Sequence, residues 1–153
     1  MPIANSIGKK LVWGLNLFWI LAAAAIVLPP YFASVGSPIA GFLYMLCKPT
    51  CHQLPHRSFF LWGHQMGVCA RCTGIWASLM LFGFIATPLL YLRKLPQIRA
   101  RWLAIAIVPL VLDGATQFLG LRESTNEFRM ITGIIAGAAI VWFVYPRLWD
   151  ADK

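Results

Sequence analysis

Charge is what this 153-residue chain has least of: Asp, Glu, Lys and Arg make up 12% of it, against about 25% in a typical soluble domain. That deficit excludes an ordinary globular fold. The chain is 59% hydrophobic with a mean hydropathy of +0.71. One globular core cannot hide that much apolar surface, whereas a bilayer can. Internal repeats and low-complexity tracts are also missing. So is the polar–apolar alternation that a membrane β-barrel needs. Nothing remains from which to build a second, soluble domain. The expectation is a single all-α, polytopic membrane domain over residues 1–153.

Four apolar segments approach the ~20 residues that cross a ~30 Å hydrocarbon core. They are about Leu11–Phe32, Arg71–Leu92, Trp102–Gly120 and Phe128–Leu148. Pro29-Pro30 falls near the exit of the first, Pro88 near the end of the second and Pro109 inside the third. Each removes a backbone donor and can bend its helix. Pro38–Leu46 is apolar but too short to span, and is expected at the interface or re-entering between helices. The first segment, with Lys9-Lys10 before it and Ala22 to Ala25 within it, has some features of a signal peptide. Its apolar run from Leu11 to Leu28 exceeds the ~7–15 residues of a signal core, so it is read as a transmembrane helix.

The formal net charge is +8. The basic residues sit at the ends of apolar segments, which points to the positive-inside bias and away from nucleic acid. Lys9, Lys10, Arg93, Lys94, Arg99, Arg101, Arg147 and Lys153 fall at one end of the predicted bundle. Lys48, Arg57, Arg71, Arg122 and Arg129 fall at the other. Both termini are therefore expected in the cytoplasm of a bacterial cell, with the inverted topology as the alternative. An even number of spans brings the loop Cys47–Cys72 and the link Leu121–Glu127 to the same, outer side.

The outer loop carries the chemistry. From Cys51 to Cys72 the chain holds three cysteines and three histidines. An apolar bundle packs without such residues, which suit soft-metal ligation or thiol redox chemistry. Cys69 and Cys72, at i and i+3 where the second span begins, would face the same way. The helix N-terminus and Arg71 both favour their thiolates. Cys51 and His52 complete a Cys₃His set, a normal tetrahedral zinc complement. Cys47, His56 and His64 are spare candidates, and structural disulfides are the bland alternative. Iron–sulfur ranks behind zinc because such clusters usually take four cysteines.

In the third span Asp113 shares a face with Thr116 and Gln117. A carboxylate at that depth should face the protein interior with a partner, from among Arg57, Arg71, Arg122 and Arg129. Asp113, Arg71 and Arg122 are the candidates for catalysis or ligand anchoring. A buried ion pair that fixes helix packing is the competing reading. Ser124 and Glu127 fit a capping box for the fourth span. Gly133 and Gly137 form a GxxxG that marks close packing within the chain or against a membrane partner. The seven tryptophans suit interfacial belts, and Phe59-Phe60-Leu61-Trp62 is expected to dip into the interface.

Several of these stretches together resemble a family. Cys51-His52-Gln53, Arg57-Ser58-Phe59 and Cys69-Ala70-Arg71-Cys72-Thr73-Gly74 form its first part. Asp113-Gly114-Ala115-Thr116-Gln117, Arg122 to Asn126 and Thr132-Gly133 form its second. The pattern, over about Cys47–Gly137, resembles the membrane-protein family called domain of unknown function 2085. The resemblance implies that these motifs are the family's own. It favours Cys51, His52, Cys69 and Cys72 over Cys47, His56 and His64, and it brings no activity with it.

Three functions fit these observations. The first is a structural or accessory subunit of a larger membrane complex with a zinc site. The second is a quinone-linked thiol oxidoreductase, with Cys69/Cys72 reactive and Cys47/Cys51 as the shuttle. The third is a metal-dependent enzyme acting on a lipid or isoprenoid head group, with Asp113 moving protons and the arginines holding phosphate.

Overall fold

The computed structural model describes residues 7–151; Lys153 lies outside the described residues. Four long helices are present: α1 (Ile7–Ser34), α3 (Ala70–Tyr91), α4 (Ala100–Phe118) and α5 (Asn126–Trp149). A short helix α2 (Ile39–Cys47) follows α1. A turn of 3₁₀ helix at Pro55–Arg57 and a small hairpin, β1 (Phe60–Leu61) with β2 (His64–Gln65), lead into α3. Each long helix is apolar enough to cross a membrane. Together they make the all-α polytopic membrane fold expected from the sequence. The short apolar segment is α2, whose outer face exposes Ile39, Phe42, Met45 and Leu46.

The distribution of polarity is that of a protein dissolved in lipid. Leu17, Leu21, Ile105, Val108, Val111 and Leu112 are exposed, whereas α4 buries only Asp113 and Gln117. An apolar exterior with polar groups turned inward is what a bilayer selects.

The centre of the bundle is the pair α3 and α5. A Cβ on Gly74 would strike the Met130 carbonyl, one on Gly133 the Arg71 carbonyl, and one on Gly137 the Ser78 hydroxyl. Only glycine lets these backbones approach so closely. The Gly133/Gly137 face is therefore filled by α3 of the same chain. Of the two readings of this glycine pair, packing within the chain is the one the structure shows, and the face is not left open for a membrane-protein partner.

Helix α1 is tied to this pair by a buried polar network. Asn16 Nδ2 donates to Thr87 Oγ1 at 2.7 Å, and Tyr145 OH donates to Asn16 Oδ1 at 2.8 Å. Trp19 Nε1 donates to Tyr145 OH at 3.1 Å. Every member has a partner, so the network fixes helix register without an orphaned dipole.

Pro29 and Pro30 lie inside α1, both buried, and the helix continues to Ser34. Without their N–H groups, the carbonyls of Ala25 and Ile26 lose their helical donors. The Cys47 thiol donates to Ala25 O at 3.3 Å and the Gly67 N–H to Ile26 O at 3.0 Å. The proline pair thus creates two acceptors that hold α2 and the loop against α1. Glycine suits this contact, since a Cβ on residue 67 would sit 3.1 Å from both Cys47 Sγ and Ile26 O and press them outward by a few tenths of an ångström.

The start of α5 differs from expectation. Thr125, not Ser124, is its N-cap, and accepts the Phe128 N–H at 3.3 Å. Ser124 is buried, with its hydroxyl 3.4 Å from the Thr125 carbonyl.

The bundle has two distinct ends. At one, Lys9 lies over the Tyr91 and Trp149 rings, Gln97 bonds Asp150, and Arg147 donates to Ile98 O. At the other, the loop after α2 meets the α4–α5 link, where Asn126 Nδ2 donates to Ser58 O at 3.2 Å.

Candidate metal centre

Two local devices shape this second end. Gln53 adopts a positive φ of 51°, and its side-chain amide donates to Tyr44 O at 2.8 Å and Gly67 O at 2.7 Å. Gln65 Nε2 returns a bond to Gln53 O at 2.7 Å. These bonds close the loop on itself and turn Cys51 inward. Cys69 is the N-cap of α3 in extended conformation, so Cys72 falls one helical turn later on the same side.

The sulfurs of Cys51, Cys69 and Cys72 lie within 4.8 Å of one another. All are free thiols. Cys51 Sγ accepts the Cys69 N–H at 3.1 Å and the Gln53 N–H at 3.5 Å. Its acidity is raised: the Cys69 and Cys72 thiols donating to it, together with these two amides, hold its pKa well below the usual thiol range despite burial. A thiolate is the form that binds metal. The three sulfurs could hold a metal ion.

His52 is exposed and stands outside this group of three, although it lines the same cavity. Cys47 is also outside it. Its thiol is occupied by Ala25 O, and burial, followed by the charge on Cys51, raises its pKa. His56 and His64 are exposed, His56 accepting from Arg57 Nε at 3.2 Å.

Asp113 is fully buried and accepts from Arg71 Nη2 and, at 2.9 Å, from Arg122 Nη2. Two of its four anticipated partners thus reach it. Arg129 turns instead to neutral acceptors. Its Nε and Nη2 donate to Gln117 Oε1 at 3.1 and 3.0 Å, and its Nη1 to Asn126 Oδ1 at 2.8 Å. A cavity of about 310 Å³ runs between the sulfurs and Arg57, Arg71 and Arg129, with Leu54 and Phe118 also on its wall. Sequence reasoning did not single out Gln53, Gln65 or Gly67, nor the burial of Arg129. The only signal for these was their place inside or beside the quoted motifs.

Comparison with known proteins agrees with this picture. The chain is 44% identical over 151 residues to an uncharacterized protein of Methanocaldococcus jannaschii, covering 93% of this chain and 95% of the relative. It is 37% identical over 90 residues to an uncharacterized protein of Methanothermobacter thermautotrophicus, covering 59% of this chain and 79% of that one. These relatives are archaeal and lend nothing to the expectation of a bacterial membrane. No solved structure matches. The family described as "Predicted membrane protein (DUF2085)" matches residues 51–143, from the first of the three clustered cysteines to late in α5. The chain belongs to that family.

Proposed function

We propose that the protein holds one zinc ion on Cys51, Cys69 and Cys72 at the outer end of its bundle. In this reading it serves as a structural or accessory subunit of a membrane complex. The observation that carries the reading is the convergence of three reduced sulfurs within 4.8 Å. Tetrahedral Zn–S bonds of about 2.3 Å place sulfurs roughly 3.8 Å apart, so a small contraction would suffice. Backbone N–H groups aimed at a ligand sulfur are the outer-shell support that metal–thiolate sites use. His52, next to Cys51 on the cavity wall, is the nearest candidate for a fourth ligand. Among the described residues, most lie in helices and the links between them are small, which favours a role within a larger assembly.

Outward orientation of the site is supported by the crowding of Lys9, Lys10, Arg93, Lys94, Arg99, Arg101 and Arg147 at the opposite end. Elemental analysis tests the centre, on chain purified in mild detergent without chelator beside a Cys69→Ser control. About one zinc per chain, lost in the control together with thermal stability, is expected. A metal-free wild type with titratable thiols and unchanged stability in the control would refute the reading. A membrane-impermeant maleimide applied to intact cells should label a Lys48→Cys variant, because Lys48 is exposed at the same end. Labelling only after cell lysis would invert the orientation.

A further inference from the structure

Four arginines meet at the site end of the bundle: Arg57, Arg71, Arg122 and Arg129. Among the described residues one buried carboxylate, Asp113, answers them. Among the described residues the two salt bridges both end on Asp113, from Arg71 and Arg122. Glu123 and Glu127 are exposed. Arg129 is only 5% exposed, yet its partners are the neutral side chains of Gln117 and Asn126. Those bonds use three of its five N–H donors. Arg57 has His56 as its hydrogen-bond partner. The Nε of Arg71 is buried without a partner. A buried guanidinium without a directly bonded anion is strongly disfavoured, so Arg129, with Arg57 and Arg71 on the same cavity, makes this end of the bundle a favourable place for an added anion.

Three of these side chains share one place. Arg57, Arg71 and Arg129 line the ~310 Å³ cavity, which no carboxylate lines, whereas the second cavity of similar size, where Arg57 and Arg129 meet Arg122, also has Glu123 on its wall. Guanidinium forks match the oxygens of phosphate, and several converging forks suit its multiple charge better than a carboxylate's single one. One wall of the first cavity is apolar: Leu54 is half-exposed and Phe118 is 90% exposed where α4 ends. We propose that this cavity binds a phosphate group, held by Arg57, Arg71 and Arg129. The same chemistry is offered by free phosphate and by an anionic lipid whose chain lies along Phe118. The proposal does not rest on the zinc reading. Zinc with three thiolates carries one negative charge, which leaves the arginines in excess.

Calorimetric titration tests it on the full chain in nonionic detergent and phosphate-free buffer. Inorganic phosphate and dihexanoyl phosphatidic acid are the two probes. Wild type should bind one equivalent of at least one of them. Arg57→Gln should weaken that binding about tenfold, as expected for loss of one charge-assisted pair. Its thermal unfolding and zinc content should be unchanged, because Arg57 is half-buried and bonds only a neighbouring histidine. Binding of inorganic phosphate supports a free-ion site, and binding of phosphatidic acid alone supports a lipid headgroup site. Failure of both probes at millimolar concentration, or equal binding by wild type and Arg57→Gln, overturns the proposal. Cys69→Ser separates the two readings: retained phosphate binding without zinc leaves this inference standing even if the metal centre fails.

Discussion

Replacing Pro30 by alanine tests whether the proline pair of α1 builds the site. A proline inside a helix ordinarily costs about 3 kcal/mol relative to alanine, so the change ought to stabilise the chain by up to that amount. The tertiary structure argues otherwise. The Ile26 carbonyl that the new backbone N–H would reclaim already accepts the Gly67 N–H at 3.0 Å. Gly67 is buried, and stranding its N–H costs about 1–3 kcal/mol. Pro30 is itself fully buried, and losing two ring carbons removes roughly 1.6 kcal/mol of burial at ~0.8 kcal/mol each. These losses, about 2.6–4.6 kcal/mol, match or exceed the gain. For a chain of this size 1 kcal/mol moves Tm by about 2–4 °C. The simple helix argument therefore predicts a rise of about 6–12 °C, whereas the structure predicts no rise or a small fall. Thermal unfolding in detergent decides between them, and hydrogen exchange at Gly67 gives a second readout. Its amide should exchange faster in the Pro30→Ala variant. A large rise in Tm with Gly67 still protected would refute the reasoning.

Other perturbations give equally definite expectations. Asp113→Asn leaves Arg71 and Arg122 without their shared carboxylate; with Arg122 only partly buried, a loss of about 2–4 kcal/mol is expected, seen as a fall in Tm. Arg122→Gln should cost less, about 1 kcal/mol or under, because its side chain is 42% exposed and solvent screens the pair. Tyr145→Phe deprives both Asn16 Oδ1 and Trp19 Nε1 of a partner, and should cost about 1–3 kcal/mol in the same assay. Gly137→Val would force Ser78 and the Ile75 carbonyl away from α5; the expected result is loss of monodisperse protein on gel filtration, and a well-folded variant would show that the close approach of α3 and α5 is dispensable.

The sequence by itself determined the solvent and the number of spans. Continuous apolar runs with charge mostly at their ends, Asp113 apart, admit few other folds, and all four long helices lie where those runs predict. Their limits were less legible. α1 already includes Ile7 to Lys10, ahead of Leu11, and its Lys9 rests on the Tyr91 and Trp149 rings. The coming together of Cys69 and Cys72 was also legible, since it follows from i, i+3 spacing at a helix start. With an even number of spans, so was the convergence of the cysteine loop on the α4–α5 link.

Tertiary structure alone decided the rest, because each remaining feature depends on which distant backbone comes near. Periodicity cannot say that Cys51 joins the two helical sulfurs while His52 faces out, since adjacent side chains diverge and the loop's fold selects one. Nor can it say that Cys47 serves the Ala25 carbonyl, an acceptor left open only because α1 continues through Pro29. Gly133 and Gly137 signalled a close approach without naming the neighbour. Four arginines and one aspartate are visible in the sequence, but only packing shows Asp113 taken by Arg71 and Arg122 and Arg129 left with neutral partners. Long-range contacts of this kind are set by the three-dimensional competition for a few buried polar groups, which no local pattern encodes.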